Sequence, residues 1–575
     1  MLFRGLDDKS SPTLLQDGRA QDLRNVKFTT TFGLTKRNGI DLINDSLLDL
    51  PDEDFTGITG LYYNEFSDGT EIRLAIEGTR IWWDNSTVWT SINAPTITSG
   101  SNNQFTFTTA LDYIVGTNDV DPIIKIDSTP LATVLDVSDL TDALTDAKCV
   151  AWFKNYLIFG NTVEAATERP TRFRWSDVGT IEDYDDDNFI DIAALGGQEI
   201  EAFGVLNDNL YAFLTSSIWK ISLVGGDDIF VLSEVEKRIG CVAKNSVQNI
   251  SLLDGQKGLA FLSRDKNIYF FNGINAIKLS TLIEGTTSDL TQSRLQYAVS
   301  AYDGSDCYWA VTDEEAYNDL ILDFNTDINE WTKLKGINAN ALAEVIHQDG
   351  TDQIYFGNYD NCVYLIENSA LDSDVAGETG TVDAVSTYTT ATASGLQIVY
   401  DASADFSDVT GAVVKITSGT GFGEEKVIVA STNTGIVVDS DFSSTPDTTS
   451  IYEIGAIDAY YETKWYDLGT APRRKLLQEL FLWTEEQGDQ NTDVSYSVDF
   501  GGIISTQSLN LSGGGAVWGS GIWGTSVWGG STALFKRVKL KAPCRFVKFK
   551  FGEDDIDETF AIYSYSIIYE ESDIY

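Results

Sequence analysis

Composition argues against catalysis that depends on histidine. The chain has one histidine, His347, in the segment EVIHQDG beside an Asp-Gly turn. A Ser/His/Asp triad or an HExxH zinc site would need this residue or more than one like it, and no GxSxG sequence frames a serine. We therefore interpret His347 as a polar residue at a strand end and predict that the protein is not an enzyme of this kind.

Carboxylates are too numerous to single out an acidic active site. The chain has 87 Asp and Glu residues, so a pair that could act as acid and nucleophile on a polysaccharide occurs by chance at many places. A carboxylate-dependent polysaccharide hydrolase remains an alternative that no particular residues favour.

Metal and phosphate motifs are incomplete. Two acidic runs, at 52–57 and 183–187, begin like EF-hand loops, but Tyr63 and Ala194 occupy the twelfth positions, where a bidentate Glu is required. The glycines of GTGFG at 419–423 lack the GxGxxG spacing and no GKS or GKT follows. We expect solvated loops here, with no metal and no cofactor.

The cysteines indicate neither a disulfide framework nor a zinc site. They are odd in number, widely spaced and without a CxxC pair: Cys149, Cys241, Cys307, Cys362 and Cys544. We expect buried thiols in a reducing cytosol. The first ten residues lack an apolar signal region and no apolar run is long enough to span a bilayer, so we expect neither signal-peptide export nor membrane insertion.

The formal net charge of −48 predicts repulsion of a phosphate backbone. A wall of this sign would let nucleic acid slide past with little non-specific retention, which suits a DNA conduit. The alternative is that the acidity only maintains solubility.

Positive charge is concentrated near the two ends of the chain. Basic stripes in a homo-oligomer can meet acidic faces of a neighbouring subunit and fix its register. Arg19 belongs to the first of these stripes, and Lys541 and Arg545 belong to the second. The residues that we predict at subunit or adaptor contacts are Arg24, Lys27, Phe28, Lys36 and Arg37 of the first stripe and Lys536, Arg537, Lys539, Lys548 and Lys550 of the second. The alternative for both stripes is a solvated strand face.

A glycine and tryptophan repeat, AVWGSGIWGTSVWGG at 516–530, precedes the second basic stripe. Trp518, Trp523 and Trp528 are spaced by five among Gly and Ser, so the segment does not match an ordinary strand core. Aromatic anchors on a loop can insert into a partner's pockets. They could also stack on sugars, or close over their own domain, which is the commonest outcome for such residues.

The elements that carry these residues are predicted to be strands. Thirteen Trp, 25 Tyr and 29 Phe residues favour pleated sheet, and 48 glycines supply turns. Between about 57 and 368, pairs of apolar runs separated by a turn recur at roughly 45 residues. The seven pairs lie at 70–85, 111–127, 155–177, 207–222, 258–273, 307–324 and 353–368.

Small sheets that repeat at this spacing typically stack radially as propeller blades. We predict an all-β protein with a β-propeller of about seven blades, six or eight being allowed. A series of β-meanders forming a sandwich is the alternative. The blades are not of the WD40 type, because a recurrent Gly-His pair is impossible with one histidine.

Changes in composition define four predicted regions. Residues 1–56 supply strands that pack with the carboxyl-terminal domain, and 57–370 form the propeller. Residues 371–456, rich in Thr, Ser, Gly and Asp, form a small inserted β-domain. Residues 457–575 form a β-sandwich-like platform, in which KLLQELFLWTEE at 475–486 is either helix or strand.

The segment LLQDGRAQDLRNVKFTTTFGLTKRNGI at 14–40 is the most specific local signal. It resembles the amino-terminal stretch of tail nozzle and tail hub (tail tubular protein B-like) proteins of short-tailed bacteriophages, where an Asn-Val-Arg-Phe, turn, Lys-Arg-Pro-Gly pattern begins the first strands. Asn38 stands where the family has proline. The matching residues are Asn25, Val26, Lys27, Phe28, Gly33, Leu34, Lys36, Arg37, Asn38 and Gly39.

Other segments resemble this family in the same order along the chain. They are RFRWSDVGTIEDYDDD (172–187), DNLYAFLTSSIWKI (208–221), AYDGSDCYWAV (301–311), LILDFNTDINEWTKL (320–334), and the closing strands at 535–551 and 561–571. The likeness covers most of the chain except the insert at 372–450.

The resemblance implies a structural virion protein at the distal end of a short tail, assembled in the cytoplasm of the host bacterium. It implies a homo-hexameric ring that contacts adaptor and portal-proximal proteins and tail fibres or spikes. Genomic DNA would pass through the ring without specific binding. A receptor-binding tail protein that recognises surface glycans is the alternative binding function.

Overall fold

The computed structural model describes residues 1–31, 33–43, 57–84, 89–92, 95–194, 196–226, 229–313, 316–346, 352–359, 361–366, 378–387, 396–404, 406, 409, 413–432, 434–438, 440–455, 457–469, 471–487, 490–512, 533–554 and 559–572. Its architecture is all-β, as the composition predicts, because short alternating or fully apolar runs are separated by glycine-rich and Asx-rich turns.

Five short strands open the chain. They are β1 (Arg4–Leu6), β2 (Arg19–Arg24), β3 (Val26–Phe28), β4 (Leu34–Lys36) and β5 (Ile40–Leu42).

Seven four-stranded antiparallel sheets follow within the described ranges. The first three contain β6 (Ile58–Glu65), β7 (Glu71–Glu77), β8 (Arg80–Asp84), β9 (Trp89–Ile92); β10 (Thr106–Ala110), β11 (Tyr113–Thr117), β12 (Ile124–Ile126), β13 (Ala132–Val134); and β14 (Leu144–Phe153), β15 (Tyr156–Glu164), β16 (Thr167–Trp175), β17 (Phe189–Asp191).

The next four sheets continue in the same way. They contain β18 (Ile200–Leu206), β19 (Asn209–Leu214), β20 (Ile218–Leu223), β21 (Phe230–Glu236); β22 (Gln248–Ser251), β23 (Lys257–Leu262), β24 (Ile268–Phe271), β25 (Ala276–Lys278); β26 (Val299–Tyr302), β27 (Asp306–Val311), β28 (Leu320–Asn325), β29 (Glu330–Lys335); and β30 (Ala341–Ile346), β31 (Asp352–Gly357), β32 (Val363–Ile366) with β5.

Each predicted pair of apolar runs is the hairpin formed by the second and third strands of one sheet, from β7–β8 to β31–β32. The turn between β7 and β8 shows the local cause. Gly78, which follows the last residue of β7, adopts a φ angle of 52°, in the left-handed region that glycine enters without steric cost.

Neighbouring sheets share hydrophobic cores in a propeller-like arrangement. One core joins the first and second sheets through Leu74 and Ile114, and similar cores join each later pair. The last sheet packs on the first through Tyr355 and Trp82. Each small sheet therefore buries both faces against its neighbours, which it could not do alone.

Helical structure is confined to one stretch of the described chain, between the fifth and sixth sheets. The short α-helix α1 (Glu284–Asp289) lies between the 3-10 helices Ser280–Ile283 and Gln292–Tyr297. The carboxylate of Asp8 accepts hydrogen bonds from the backbone N–H of Gly285 and Thr286, both at 2.7 Å, which ties the amino terminus to this linker.

The insert forms a seven-stranded arrangement with its own core, which includes Val399, Ile416 and Tyr452. Its strands are β33 (Glu378–Thr381), β34 (Ala384–Thr387), β35 (Gln397–Tyr400), β36 (Val413–Ser418), β37 (Glu425–Thr432), β38 (Gly435–Val438) and β39 (Ile451–Ile454).

The carboxyl-terminal strands form two larger sheets with the first strands of the chain. They are β40 (Ala459–Thr463), β41 (Arg474–Glu485), β42 (Asn491–Val498), β43 (Ile503–Asn510), β44 (Ala533–Cys544), β45 (Val547–Glu553) and β46 (Ala561–Ser572). One sheet has the order β1-β2-β40-β45-β42-β43 and the other β3-β4-β46-β41-β44. A shared core that includes Phe3, Phe551 and Tyr565 joins them. Residues 475–486, for which the sequence allows helix or strand, belong almost entirely to β41.

One part of the amino-terminal region differs from the prediction for residues 1–56. Strands β1 to β4 join the carboxyl-terminal sheets, but β5 pairs with β32 through Leu365 and Asp41. The last small sheet has only three strands of its own, so its outer edge is paired by a strand from the start of the chain. The same short segment therefore connects the carboxyl-terminal sheets to the ring of small sheets.

The five cysteines are free thiols. Four of them are buried, and Cys362, which the sequence predicts to be buried as well, is partly exposed. None of the helices found in the described ranges is both long and apolar enough to cross a membrane.

Candidate interaction surfaces

Charged residues of the first predicted basic group bind partners within their own chain. Lys27 lies 3.0 Å from the carboxylate of Asp306 and 3.5 Å from that of Asp323, and its ammonium donates a hydrogen bond to the Tyr308 hydroxyl. Arg24 forms ion pairs at 3.1 Å with Glu425 of the insert and with Asp458. These contacts join β2 and β3 to the sixth small sheet, to the insert and to the segment before β40.

The other three members of this group are buried. Phe28 is part of the core between the carboxyl-terminal sheets, and Lys36 and Arg37 are buried beside it. The Arg37 guanidinium donates to the side-chain oxygen of Asn25 at 3.1 Å and to the carbonyl of Lys335 at 3.3 Å. In the single chain, this group connects structural units.

The second predicted basic group divides between two strands. Arg537, Lys539 and Lys541 alternate along β44 and are exposed on the outer face of the five-stranded sheet. Arg537 pairs with Glu479 of β41. Lys539 and Lys541 have no carboxylate within ion-pair distance in the part of the chain that the structure describes.

The remaining members of the second group make internal contacts. Lys548 of β45 pairs with Glu462 and lies over the Trp465 ring, while the Lys550 ammonium is 3.9 Å from the centre of the Tyr460 ring. Lys536 donates to the carbonyl of Ser512 at 3.0 Å. The exposed positive charge is therefore that of the β44 face, with Arg545 beyond its end.

Aromatic side chains that were not predicted from the sequence extend this face. Phe535 is 56% exposed and stacks on Phe481 with ring centres 4.8 Å apart. Trp483, its cross-strand partner, meets it edge to face at 5.4 Å. The period-two alternation of FLWTE and LFKRVKLK, which places Phe481, Trp483 and Phe535 on one face, is the signal that could have identified them.

An acidic surface lies on loops of the second and third small sheets. Hydrogen bonds from Thr141 to the Asp186 carboxylate, at 2.8 and 2.6 Å, hold the two loops together. The exposed aspartates of these loops are Asp136, Asp139, Asp142, Asp177, Asp183, Asp185, Asp186 and Asp187. Within the described residues no group of three or more His, Cys, Asp or Glu side chains is placed to hold a metal ion.

The axis of the propeller-like arrangement is occupied by side chains. The first strands of the sheets line a cavity of about 250 Å³. At one end Thr106 donates to Asn245 at 3.2 Å, which connects the second sheet to the segment before the fifth. Gln104 donates to the Asn340 side chain at 3.1 Å and Asn340 donates to the Ile58 carbonyl at 3.0 Å. These hydrogen bonds cross-link residues of the first, second, fifth and last small sheets, or of the segments that precede their first strands.

Ionisable groups with little exposure lie near this cavity, and one of them, Lys244, lines it. The Lys148 ammonium lies 2.7 Å from the carboxylate of Glu201, which joins β14 to β18. Burial raises the pKa of Glu201 to about 7, against the opposing effect of Lys148. Burial also lowers the pKa of Lys244 to about 8, although Asp119 opposes this shift. The Lys148–Glu201 pair acts as a structural bridge between two sheets.

A second cavity, of about 500 Å³, lies between the sixth small sheet, the insert and the carboxyl-terminal sheets. Its lining includes Arg24, Lys335, Lys415, Asp319 and Tyr460. Lys335 binds Asp319 at 2.7 Å and Lys415 binds Asp554 at 2.6 Å, so charges along this cleft are largely compensated. The cleft is a polar seam between structural units.

Three features singled out in the sequence lie outside the residues that the structure describes. They are Trp518, Trp523 and Trp528 of the glycine and tryptophan repeat, His347, and the acidic run at 52–57 except for Gly57.

No family model and no curated protein matches the chain. Among solved structures, the computationally designed Ika8 protein aligns with a TM-score of 0.34 at 10% identity over 57% of this chain and 100% of its own. The N-terminal domain of Nup159 aligns with a TM-score of 0.34 at 12% identity over 60% of this chain and 98% of its own.

Proposed function

We propose that the chain is a structural virion protein, the nozzle or hub of a short bacteriophage tail, and not an enzyme. Six copies would form a ring at the distal end of the tail, below the adaptor and portal, with fibres or spikes attached around it. The resemblance of residues 14–40 and of later segments to this family suggests the proposal. The observation that carries it is the amino-terminal segment, whose five strands enter three different sheets and connect them into one scaffold.

The finer description of the fold belongs to the same proposal. We infer that the seven small sheets are blades of one β-propeller, spanning 57–370 and closed by β5. The insert at 371–456 and the two-sheet platform at 457–575 with β1 to β4 are separate units attached to it. A rigid scaffold of this kind suits a part that must hold its shape while a genome passes.

The conduit in this proposal lies between copies and not along the axis of one chain. Gln104, Thr106, Asn245 and Asn340 cross-link the axis of the propeller-like ring, and the cavity beside them has a volume of only about 250 Å³. A channel for duplex DNA therefore has to be enclosed by several copies. Their net negative charge would disfavour retention of DNA on its wall.

The experiment that tests the proposal is the mass of the purified chain in solution, alone and with its neighbouring tail proteins, followed by imaging. We expect a six-membered ring, formed alone or with the adaptor, whose central opening admits duplex DNA. A chain that stays monomeric under both conditions contradicts the nozzle. If that monomer binds bacterial surface glycan, the receptor-binding alternative replaces it.

A further inference from the structure

The outer face of the five-stranded sheet combines apolar and basic groups. Leu476, Trp483, Phe535 and Ile568 are exposed large hydrophobic side chains of adjacent strands β41, β44 and β46. Soluble proteins seldom leave such groups together without a partner. We define this set, with the exposed cations Arg537, Lys539 and Lys541 of β44, as the platform face.

Charge decides which partner the platform face fits. Two of its three cations lack an ion-pair partner among the described residues, although the chain carries 87 acidic against 39 basic side chains. Only a strongly acidic surface complements them, and one is available on the chain itself, in the eight exposed aspartates between 136 and 187. We define these aspartates as the acidic loops.

We propose that the platform face of one copy binds the acidic loops of a second copy of this chain. The inference rests on the proposed ring and identifies its interface. The apolar side chains are the anchors, and the lysines of β44 meet aspartates of the neighbour. Desolvated aromatic anchors supply most of the affinity in such interfaces, and complementary charges select the partner and its register.

The two surfaces differ from each other, so the contact is head to tail. A head-to-tail contact adds copies in one direction and closes into a ring when the rotation per copy permits. This property distinguishes the proposal from a two-fold dimer made through the same sheet, in which the lysines of two copies would face each other and repel.

A charge exchange tests the pairing. Lys539→Glu with Lys541→Glu reverses the platform face, and Asp185→Lys with Asp187→Lys reverses the acidic loops. We expect each pair of substitutions to prevent ring formation, measured by native mass and imaging with the adaptor present where the wild type requires it. The chain carrying all four substitutions should form the ring again, because its net charge and its complementarity are both restored.

Matched controls separate interface effects from charge and folding effects. Lys237→Glu with Lys257→Glu makes the same change in net charge at exposed lysines of the fourth and fifth small sheets, and should leave the ring intact. Phe535→Ala should weaken assembly by roughly tenfold or more, as expected for an aromatic anchor. Phe422→Ala, at a residue of the insert that is 74% exposed, should have no effect. Thermal unfolding of each variant verifies that the monomer is folded.

The outcomes are distinct. An intact ring in either charge-reversed variant overturns the interface, and so does failure of the four-substitution chain to assemble although it folds. An unchanged ring in Phe535→Ala would also overturn it, because Phe535 would then contribute only to its contacts with Phe481 and Trp483 in its own chain. Absence of a ring in the wild type contradicts the proposed function instead.

Discussion

At the scale of single residues, burial determines what each charge does. Glu164 of β15 has a side chain that is only 1% exposed, and it binds the guanidinium groups of Arg172 and Arg174 at 2.7 and 2.8 Å. The ring of Phe189 lies 3.7 Å from the Arg172 guanidinium. A carboxylate taken out of water is tolerated only when such partners satisfy it. The contacts of Arg172 and Arg174 with Glu164 are within the third sheet.

Removing this buried charge should be costly. Glu164→Gln leaves two guanidinium groups without their common carboxylate, and we expect a loss of about 3–5 kcal/mol in the free energy of unfolding, the range for a buried ion pair that loses one partner. Chemical denaturation measures it. Glu168→Gln, at an exposed position of the same hairpin, is the control and should change stability by less than about 0.5 kcal/mol. Equal effects of the two substitutions would contradict the ascribed role.

The difference in stability between the wild type and Glu164→Gln should depend on pH. Desolvation acts to raise the pKa of Glu164, but hydrogen bonds and attraction from Arg174 and Arg172 outweigh it and hold this pKa below its ordinary value of 4.5. A carboxyl group whose pKa is lower in the folded than in the unfolded state contributes its full stabilisation at pH values above its unfolded-state pKa. This contribution is lost as the pH falls through its folded-state pKa. The stability difference between wild type and Glu164→Gln should be constant near neutrality and shrink below about pH 4.5.

At the scale of elements, the short strand β5 contributes more than its length indicates. It is the fourth strand of the last small sheet, and Ile40 is buried in the core that this sheet shares with the sixth. A three-stranded sheet would expose an edge at the point where the ring of sheets closes. The start of the chain and the last small sheet are thereby held together by backbone hydrogen bonds.

Weakening β5 should therefore affect the whole ring of small sheets. Ile40→Ala removes buried methyl groups, and we expect a loss of about 2–5 kcal/mol in the free energy of unfolding. Hydrogen exchange should become faster in β32, whose Tyr364 and Leu365 pair with β5. Ile346→Ala, at a half-exposed position of β30, is the control. Unchanged exchange in β32 would contradict the role of β5 in closing the ring.

At the scale of the whole molecule, acidity and assembly oppose each other. Copies with a net charge of −48 repel at long range, so association needs local surfaces of opposite sign. The exposed cations of β44 provide one such surface. The first predicted basic group does not, because its cations are already bound to Asp306, Asp458, Glu425 and other groups of the chain.

The proposed conduit should not retain DNA. We expect no binding of a labelled DNA duplex by the chain or its ring at about 50 mM salt. Non-specific DNA-binding proteins have dissociation constants of roughly 10⁻⁴–10⁻⁶ M at physiological salt and bind more tightly at this lower salt concentration. Fluorescence anisotropy measures it, with Asp185→Lys/Asp187→Lys as a variant of raised positive charge. Binding that weakens steeply with salt would contradict a non-retentive wall.

Much of the architecture could be predicted from the sequence because its signals are local. The seven hairpins follow from apolar runs separated by turn residues such as Gly78, which act over a few positions of the chain. The net charge, the single histidine and the absence of a CxxC pair are also independent of folding. The hairpin pattern favours a β-rich scaffold, the cysteine spacing favours one without disulfides, and the single histidine argues against histidine-dependent catalysis.

Only the tertiary structure decided which charges are available. Lys27 and Lys539 both lie in basic strands, but Lys27 meets Asp306, 279 residues away, whereas Lys539 lies on an outer face. The pairing of β5 with β32 and the hydrogen bond between Gln104 and Asn340 likewise join positions far apart in the chain. Such contacts depend on how elements pack and not on the residues beside them, so no local pattern could reveal them.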